Sequence, residues 1–103
     1  MAKLKLIANP TFKFIVGIPV AGGEPAPVEM IFKHRTKTEL DEFIKTRADK
    51  TDAESFTDMV VGWDLEDTFS AASVDTLLEN YAGAGLATFR VYIDQLIQAK
   101  LKN

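Results

Sequence analysis

Two runs of alternating apolar residues, separated by a glycine- and proline-rich segment, constrain this fold more than any other feature of the sequence. In each run, every second residue falls on the same side of an extended chain. These positions are Phe12, Phe14, Val16 and Ile18 in the first run and Val28, Met30, Phe32 and His34 in the second. Residues 21–27 between the runs contain two glycines and two prolines, which disfavour a regular element. We therefore predict a β-hairpin over roughly residues 12–35, with a further short strand expected at residues 4–7.

Residues 36–103 have the apolar spacing of about four α-helices. Thr36 and Glu39 are spaced as a capping box at the start of the first helix, which is expected to end near residues 48–50. Asp52 and Ser73 are the expected N-caps of the second and third helices. The predicted apolar faces of the second, third and last helices are, in turn, Phe56, Met59, Val60 and Trp63; Val74, Leu77, Leu78 and Tyr81; and Leu86, Phe89, Ile93, Leu96 and Ile97.

A hairpin alone is marginally stable in water, so the helices are expected to cover its apolar face. The chain has 103 residues, which is enough for one hydrophobic core and too short for two. No internal repeat is visible, and the only segment of linker composition, residues 21–27, lies inside the hairpin. We predict a single α+β domain over residues 1–103, with the hairpin first and about four helices after it.

The sequence offers little for catalysis. It contains no cysteine and one histidine, His34, which excludes thiolate chemistry and multi-histidine metal sites. Asp64, Glu66 and Asp67 are clustered but lack the pattern of a calcium loop. The glycines near residue 22 lack the lysine of a phosphate-binding loop, and Ser70 lies outside any nucleophile-elbow pattern. We predict no enzyme activity, no metal and no cofactor.

Charge is distributed unevenly along the chain. Residues 1–51 carry nine basic and six acidic residues, whereas residues 52–103 carry three basic and nine acidic residues. No basic residue occurs between Lys50 and Arg90. An acidic surface repels nucleic acid, whose binding requires neutralisation of phosphates, so we predict no nucleic-acid partner. Such a surface either favours solubility or attracts a basic protein.

Membrane insertion is not predicted. No stretch reaches the ~20 apolar residues that a membrane-spanning helix needs. The first residues lack the pattern of a secretory signal, so a cytoplasmic location is expected.

Two spaced motifs resemble those of a known family, over roughly residues 12–103. The first is Phe32-Lys33-His34-Arg35-Thr36-Lys37-Thr38-Glu39-Leu40, after a strand and a glycine-rich hairpin. The second is Val61-Gly62-Trp63-Asp64-Leu65, then Phe69-Ser70, then Leu77-Leu78-Glu79-Asn80-Tyr81, before a last helix and the ending Ala99-Lys100-Leu101-Lys102-Asn103. This pattern is similar to that of the tail assembly chaperones of long-tailed phages and prophages. In that family, proline often follows the tyrosine, where this chain has Ala82.

The resemblance implies a non-catalytic role in the cytoplasm of a host bacterium. Chaperones of this family bind the tape measure protein, which is long and aggregation-prone, and keep it soluble while the tail tube polymerises around it. The family also implies self-association into a homo-oligomer. It further implies a longer form made by ribosomal frameshifting that engages the tail tube protein.

Three aromatic residues are candidates for partner contacts, because they lie at segment ends or outside the main apolar faces: Phe69, Tyr81 and Tyr92. Ordinary core packing is the alternative for each, and Trp63 is assigned to the core. The edge of the hairpin is a candidate for self-association, since unpaired strand edges tend to pair. Two other functions remain open: a small structural tail or head–tail completion protein, and a regulatory adaptor of another basic protein.

Overall fold

The computed structural model of the chain describes residues 4–98. The elements follow one another as strands β1 (Thr11–Ile18) and β2 (Ala26–Lys33), helices α1 (Lys37–Thr46) and α2 (Asp52–Met59), strand β3 (Val60–Trp63), and helices α3 (Ala71–Asn80) and α4 (Ala84–Ile93). A short 3₁₀ turn, Arg47–Asp49, follows α1, and a π-helical turn, Asp94–Gln98, extends α4. The predicted α+β class is confirmed.

The three strands form one antiparallel sheet with the order β1-β2-β3. The predicted hairpin is confirmed: Thr11 pairs with Lys33 at one end and Ile18 pairs with Ala26 at the other. Gly22 turns the loop with a φ of +77°, a left-handed conformation that glycine adopts without steric cost.

One face of the sheet is covered by the helices and the other is open. Val16, Val28, Met30 and Phe32 point toward the helices and are buried. Positions on the opposite face, such as Ile15, are exposed. The core is therefore a single layer between the sheet and the helices. Its fully buried apolar members are Val16, Ile18, Val28, Met30, Phe32, Leu40, Phe43, Phe56, Met59, Val60, Val74, Ala84 and Tyr92.

Side-chain caps fix where three of the helices begin. The capping box of Thr36 and Glu39 is confirmed, and its hydrogen bonds hold the pKa of the Glu39 carboxyl below its usual value. The second helix is capped by Thr51 with Glu54, so the prediction of Asp52 is wrong by one residue. The third is capped by Ser70, with Ser73 as its reciprocal partner, so the prediction of Ser73 as the cap is also wrong.

The third strand lies where the sequence predicted helix. Val60 and Trp63 continue the helical spacing of Phe56 and Met59, but the chain leaves α2 at Met59 and forms β3. Trp63 pairs with Met30, and Val60 pairs with Phe32 across an irregularity in β2. Because long-range pairing supplies hydrogen bonds and burial together, it overrides the local periodicity.

Two further predictions are wrong. Residues 4–7 form no strand, and Leu4, Leu6 and Ile7 are at least 85% exposed. Leu86 and Ile97, which were predicted on the apolar face of the last helix, are 50% and 59% exposed. Phe89, Ile93 and Leu96 pack against the core as predicted, but the fully buried positions of α4 are Ala84, Thr88 and Tyr92. The small side chains of Ala84 and Thr88 let this helix approach β1 and α2. The predicted ending of this helix, residues 99–103, lies outside the described residues.

Candidate functional site

An apolar groove opens between the hairpin end of the sheet and helix α3. Its volume is about 510 Å³, which is within the range of ligand-binding clefts. The hairpin contributes one wall and α3 contributes the other, and Trp63 with the loop after β3 completes the lining. The lining residues are Ile18, Val20, Ala26, Val28, Trp63, Leu65, Asp67, Ser73, Thr76, Leu77, Asn80 and Tyr81.

Trp63 forms a rigid aromatic floor for this groove. Its ring lies edge-on to the rings of Phe69 and Phe56, with centroid-to-centroid distances of 4.9 Å and 6.4 Å. Its indole Nε1 donates a hydrogen bond to the Asp67 carbonyl oxygen at 2.7 Å. These contacts fix the ring position, and they tie the loop after β3 to the sheet.

Two exposed apolar side chains stand at the rim of the groove. Tyr81 terminates α3 and is 39% exposed, and Leu65 in the loop after β3 is 38% exposed. The Tyr81 amide donates to Leu77, and the Tyr81 carbonyl accepts from Ala84, so the tyrosine is held at the turn between two helices. An apolar pair at the mouth of an apolar cleft favours contact with another macromolecule.

The surroundings of the groove are acidic. Asp67 lies in the lining, with Asp64 and Glu66 in the same loop. None of the lining residues is basic. Asp64 is also used structurally, because its carboxylate accepts a hydrogen bond from the Glu29 amide at 3.0 Å. The groove therefore favours a segment that is both apolar and positively charged.

The three aromatic residues predicted to contact a partner are divided between two places. Phe69 supports the groove floor through Trp63, and Tyr81 lies at the rim. Tyr92 is fully buried on the far side of the core, where its ring stacks on Phe32 at 5.5 Å. A direct contact between Tyr92 and a partner would therefore require that part of the core to open.

The Tyr92 hydroxyl completes a buried polar contact. It donates to the Lys33 carbonyl oxygen at 2.6 Å and accepts from the Arg35 guanidinium at 3.0 Å. The same Arg35 lies 4.5 Å above the Phe43 ring centre. Burial raises the pKa of Tyr92 above its usual value, because a phenolate there would lose its hydration, and the hydrogen bond from Arg35 offsets only part of this effect.

The other residues that were considered for catalysis make hydrogen bonds that support the fold. His34 continues the hairpin, since its amide donates to the Pro10 carbonyl at 2.8 Å. Ser70 and Ser73 are occupied in capping α3. Among residues 4–98, no group of three or more acidic or histidine side chains is placed to hold a metal ion.

Sequence reasoning missed the groove itself. Its walls come from the hairpin end, the loop after β3 and α3, which are far apart in the chain. One local signal was present: Leu65 is an apolar residue among Asp64, Glu66 and Asp67, where a solvated turn has no need of one.

The chain is thus a small α+β domain with an apolar, acid-rimmed groove. The family model for phage tail assembly chaperones matches residues 1–103, so the chain belongs to that family. The family is non-catalytic and acts on phage tail proteins. Neither the curated proteins nor the solved structures contain a significant match to this chain.

Within residues 4–98, no helix has the length and apolar character needed to cross a membrane.

Proposed function

We propose that this chain binds the tape measure protein in the cytoplasm of the host bacterium and keeps it soluble until the tail tube encloses it. Membership of the tail assembly chaperone family supports this role. The observation that carries it to particular residues is the groove, where Tyr81 and Leu65 present apolar surface beside an acidic rim.

The client segment that fits this groove is apolar on one side and basic on the other. Its apolar side chains would lie against Tyr81 and Leu65, with Phe69 supporting the Trp63 floor from beneath. Its lysines or arginines would face Asp67 and its acidic neighbours. A long client with several such segments would bind one copy of the chain at each of them, which holds it far better than a single contact would.

Binding of the tail tube protein by a longer, frameshifted form belongs to the same proposal. It would bring the chaperone-bound client to the growing tube. The groove described above leaves the open face of the sheet free for additional contacts.

Co-expression with the tape measure protein tests the proposal. The soluble fraction of the client is measured with the parent chain, with Leu65→Glu and with the matched control Ile44→Glu. Leu65 is 38% exposed at the groove, and Ile44 is 42% exposed on α1, outside the groove lining, so the two changes add the same charge at similar exposure. We expect client solubility to fall to the level without chaperone for Leu65→Glu only.

Equal solubility with Leu65→Glu and Ile44→Glu would refute binding through the groove. A client that stays insoluble with the parent chain, and elutes without it, would instead favour a structural tail component. Mass spectrometry of purified tails separates these roles, since a chaperone is absent from the finished tail.

A further inference from the structure

The segment before β1 exposes apolar side chains that no other part of residues 4–98 covers. Leu4 is 92% exposed, Leu6 is 98% exposed and Ile7 is 85% exposed. The segment bends at Leu6 and Ile7, and Lys5 between the leucines donates a hydrogen bond to the Asn9 side chain at 3.4 Å. We call residues 4–10 the N-terminal arm. It combines an apolar edge with a positive charge, which is the composition that the acid-rimmed groove favours.

We infer that the groove of one copy binds the N-terminal arm of a second copy, with Leu4 and Leu6 lying against Leu65, Tyr81 and the Trp63 floor. Lys5 would face the acidic side chains around Asp67. This inference goes beyond client binding, because it assigns the groove an occupant within the chaperone itself. It also makes self-association and client binding compete for one site.

The arm does not occupy the groove of its own chain. It leaves the sheet at Pro10, whose carbonyl still pairs with His34. Ile18, in the far wall of the groove, is about 26 Å from Pro10 at the rise of a β-strand. Leu4 and Leu6 are almost fully exposed, so neither side chain lies against Leu65, Tyr81 or Trp63 of the same chain. Their apolar surface is therefore available to a second copy.

The geometry sets the form of the assembly. Each copy has one arm and one groove at opposite ends of the hairpin, so the contact is between two different surfaces. Such contacts continue from copy to copy and produce rings or open chains, unless two copies exchange arms reciprocally. Either arrangement hides the exposed leucines and the groove from water until a client arrives.

Two complementary variants test the inference by light scattering of the full chain. Leu6→Glu disables the arm, and Leu65→Glu disables the groove. We expect each variant alone to lose the assembled mass and approach the 11.4 kDa of one chain. An equimolar mixture should recover a species of two chains, since one intact arm and one intact groove remain. Ile44→Glu should keep the parental mass.

Leu6, Leu65 and Ile44 are all exposed, so we expect each variant to fold as the parent chain does. Circular dichroism of each variant checks this. A parent chain that is monomeric at all concentrations would overturn the inference. So would parental mass in both variants, or a mixture that stays monomeric.

Cross-linking then tests the contact itself, and the absence of cysteine in the chain makes it clean. Leu6→Cys and Leu65→Cys proteins are mixed under a mild oxidant, with Leu6→Cys and Ile44→Cys as the matched control pair. A disulfide needs Cα atoms roughly 4.4–6.8 Å apart, so we expect at least several-fold more mixed dimer from the first pair. Equal yields from the two pairs would overturn the arm–groove contact.

Co-expression with the client separates this inference from the proposed function. Leu6→Glu should lose self-association and keep a free groove, so a client segment would still bind there. If Leu6→Glu assembles normally while Leu65→Glu loses only client solubility, the arm–groove contact fails and the proposed function stands. If Leu65→Glu loses assembly and keeps the client soluble, the groove is a self-association site, and client binding through the groove fails.

Discussion

The substitution Tyr92→Phe removes a single oxygen atom from the centre of the fold and separates a core role for this residue from a partner-binding one. The hydroxyl makes two hydrogen bonds, to the Lys33 carbonyl and from Arg35. Phenylalanine keeps the ring stacked on Phe32 and leaves the carbonyl without this donor. These hydrogen bonds are part-buried, and a typical hydrogen bond contributes about 1 kcal/mol net, so we expect the free energy of unfolding to fall by about 1 kcal/mol.

Urea denaturation measures this loss directly. The midpoint should move to lower urea while the slope stays constant, because the surface exposed on unfolding is unchanged. In a thermal melt, the same loss lowers Tm by roughly 5 °C for a domain of this size. Tyr81→Phe is the matched control. Tyr81 is 39% exposed, and its substitution should change stability by less than about 0.5 kcal/mol.

The co-expression assay decides what Tyr92 does. A core residue predicts that Tyr92→Phe keeps the client soluble at temperatures well below its melting point. Our reasoning is refuted if Tyr92→Phe is as stable as the parent chain, and a loss of client solubility in that stable variant would assign Tyr92 to the partner surface.

Three further predictions concern the pH dependence, a helix cap and the hairpin loop. Because the folded-state pKa of Tyr92 is raised, its contribution to stability is complete below pH ~10 and is lost as the pH rises through the higher value; alkaline unfolding of Tyr92→Phe should lack this component. Thr36→Ala removes the hydroxyl that accepts from the Glu39 amide and should cost about 1 kcal/mol in urea denaturation, whereas Thr38→Ala, an exposed change one residue before Glu39, should cost little. Gly22→Ala places a side chain at a φ of +77° and should lower the free energy of unfolding by about 1 kcal/mol. Gly23→Ala is the control, because its added Cβ would lie 3.9 Å from Val20 and meet no clash. Equal melting points for the two variants would contradict the strain argument.

The parts of the fold that sequence predicted well are those with a local physical cause. Alternation over residues 12–18 and 28–34 gave the hairpin, because a half-buried strand needs its apolar residues on one side. The capping box at Thr36 could be predicted because both of its partners, Thr36 and Glu39, lie within one helical turn. Thr51 satisfies the same pattern with Glu54 and is a better cap than Asp52, which lies inside the helix.

The errors fall where distant parts of the chain decide the outcome. Val60 and Val61 are β-branched and precede Gly62, a composition that suits a strand, yet their spacing from Phe56 also fits a helix. Only the partner β2, about thirty residues away, resolves the ambiguity. Residues 4–7 show the reverse error. Their apolar composition suits a strand, but the sheet β1-β2-β3 provides no strand beside them.

The groove depends on the same long-range pairing. β3 carries Trp63 at its end, and pairing with Met30 places that ring beneath the hairpin end. Gly62 in β3 leaves room for the Ile31 side chain of β2, since an added Cβ would lie 3.1 Å from it. The Trp63–Asp67 hydrogen bond then draws the following loop inward and leaves Leu65 at the rim. A sequence pattern cannot reveal this site, because its floor exists only once a strand that looks like helix has joined the sheet. The proposed binding groove therefore forms only when β3 joins the sheet.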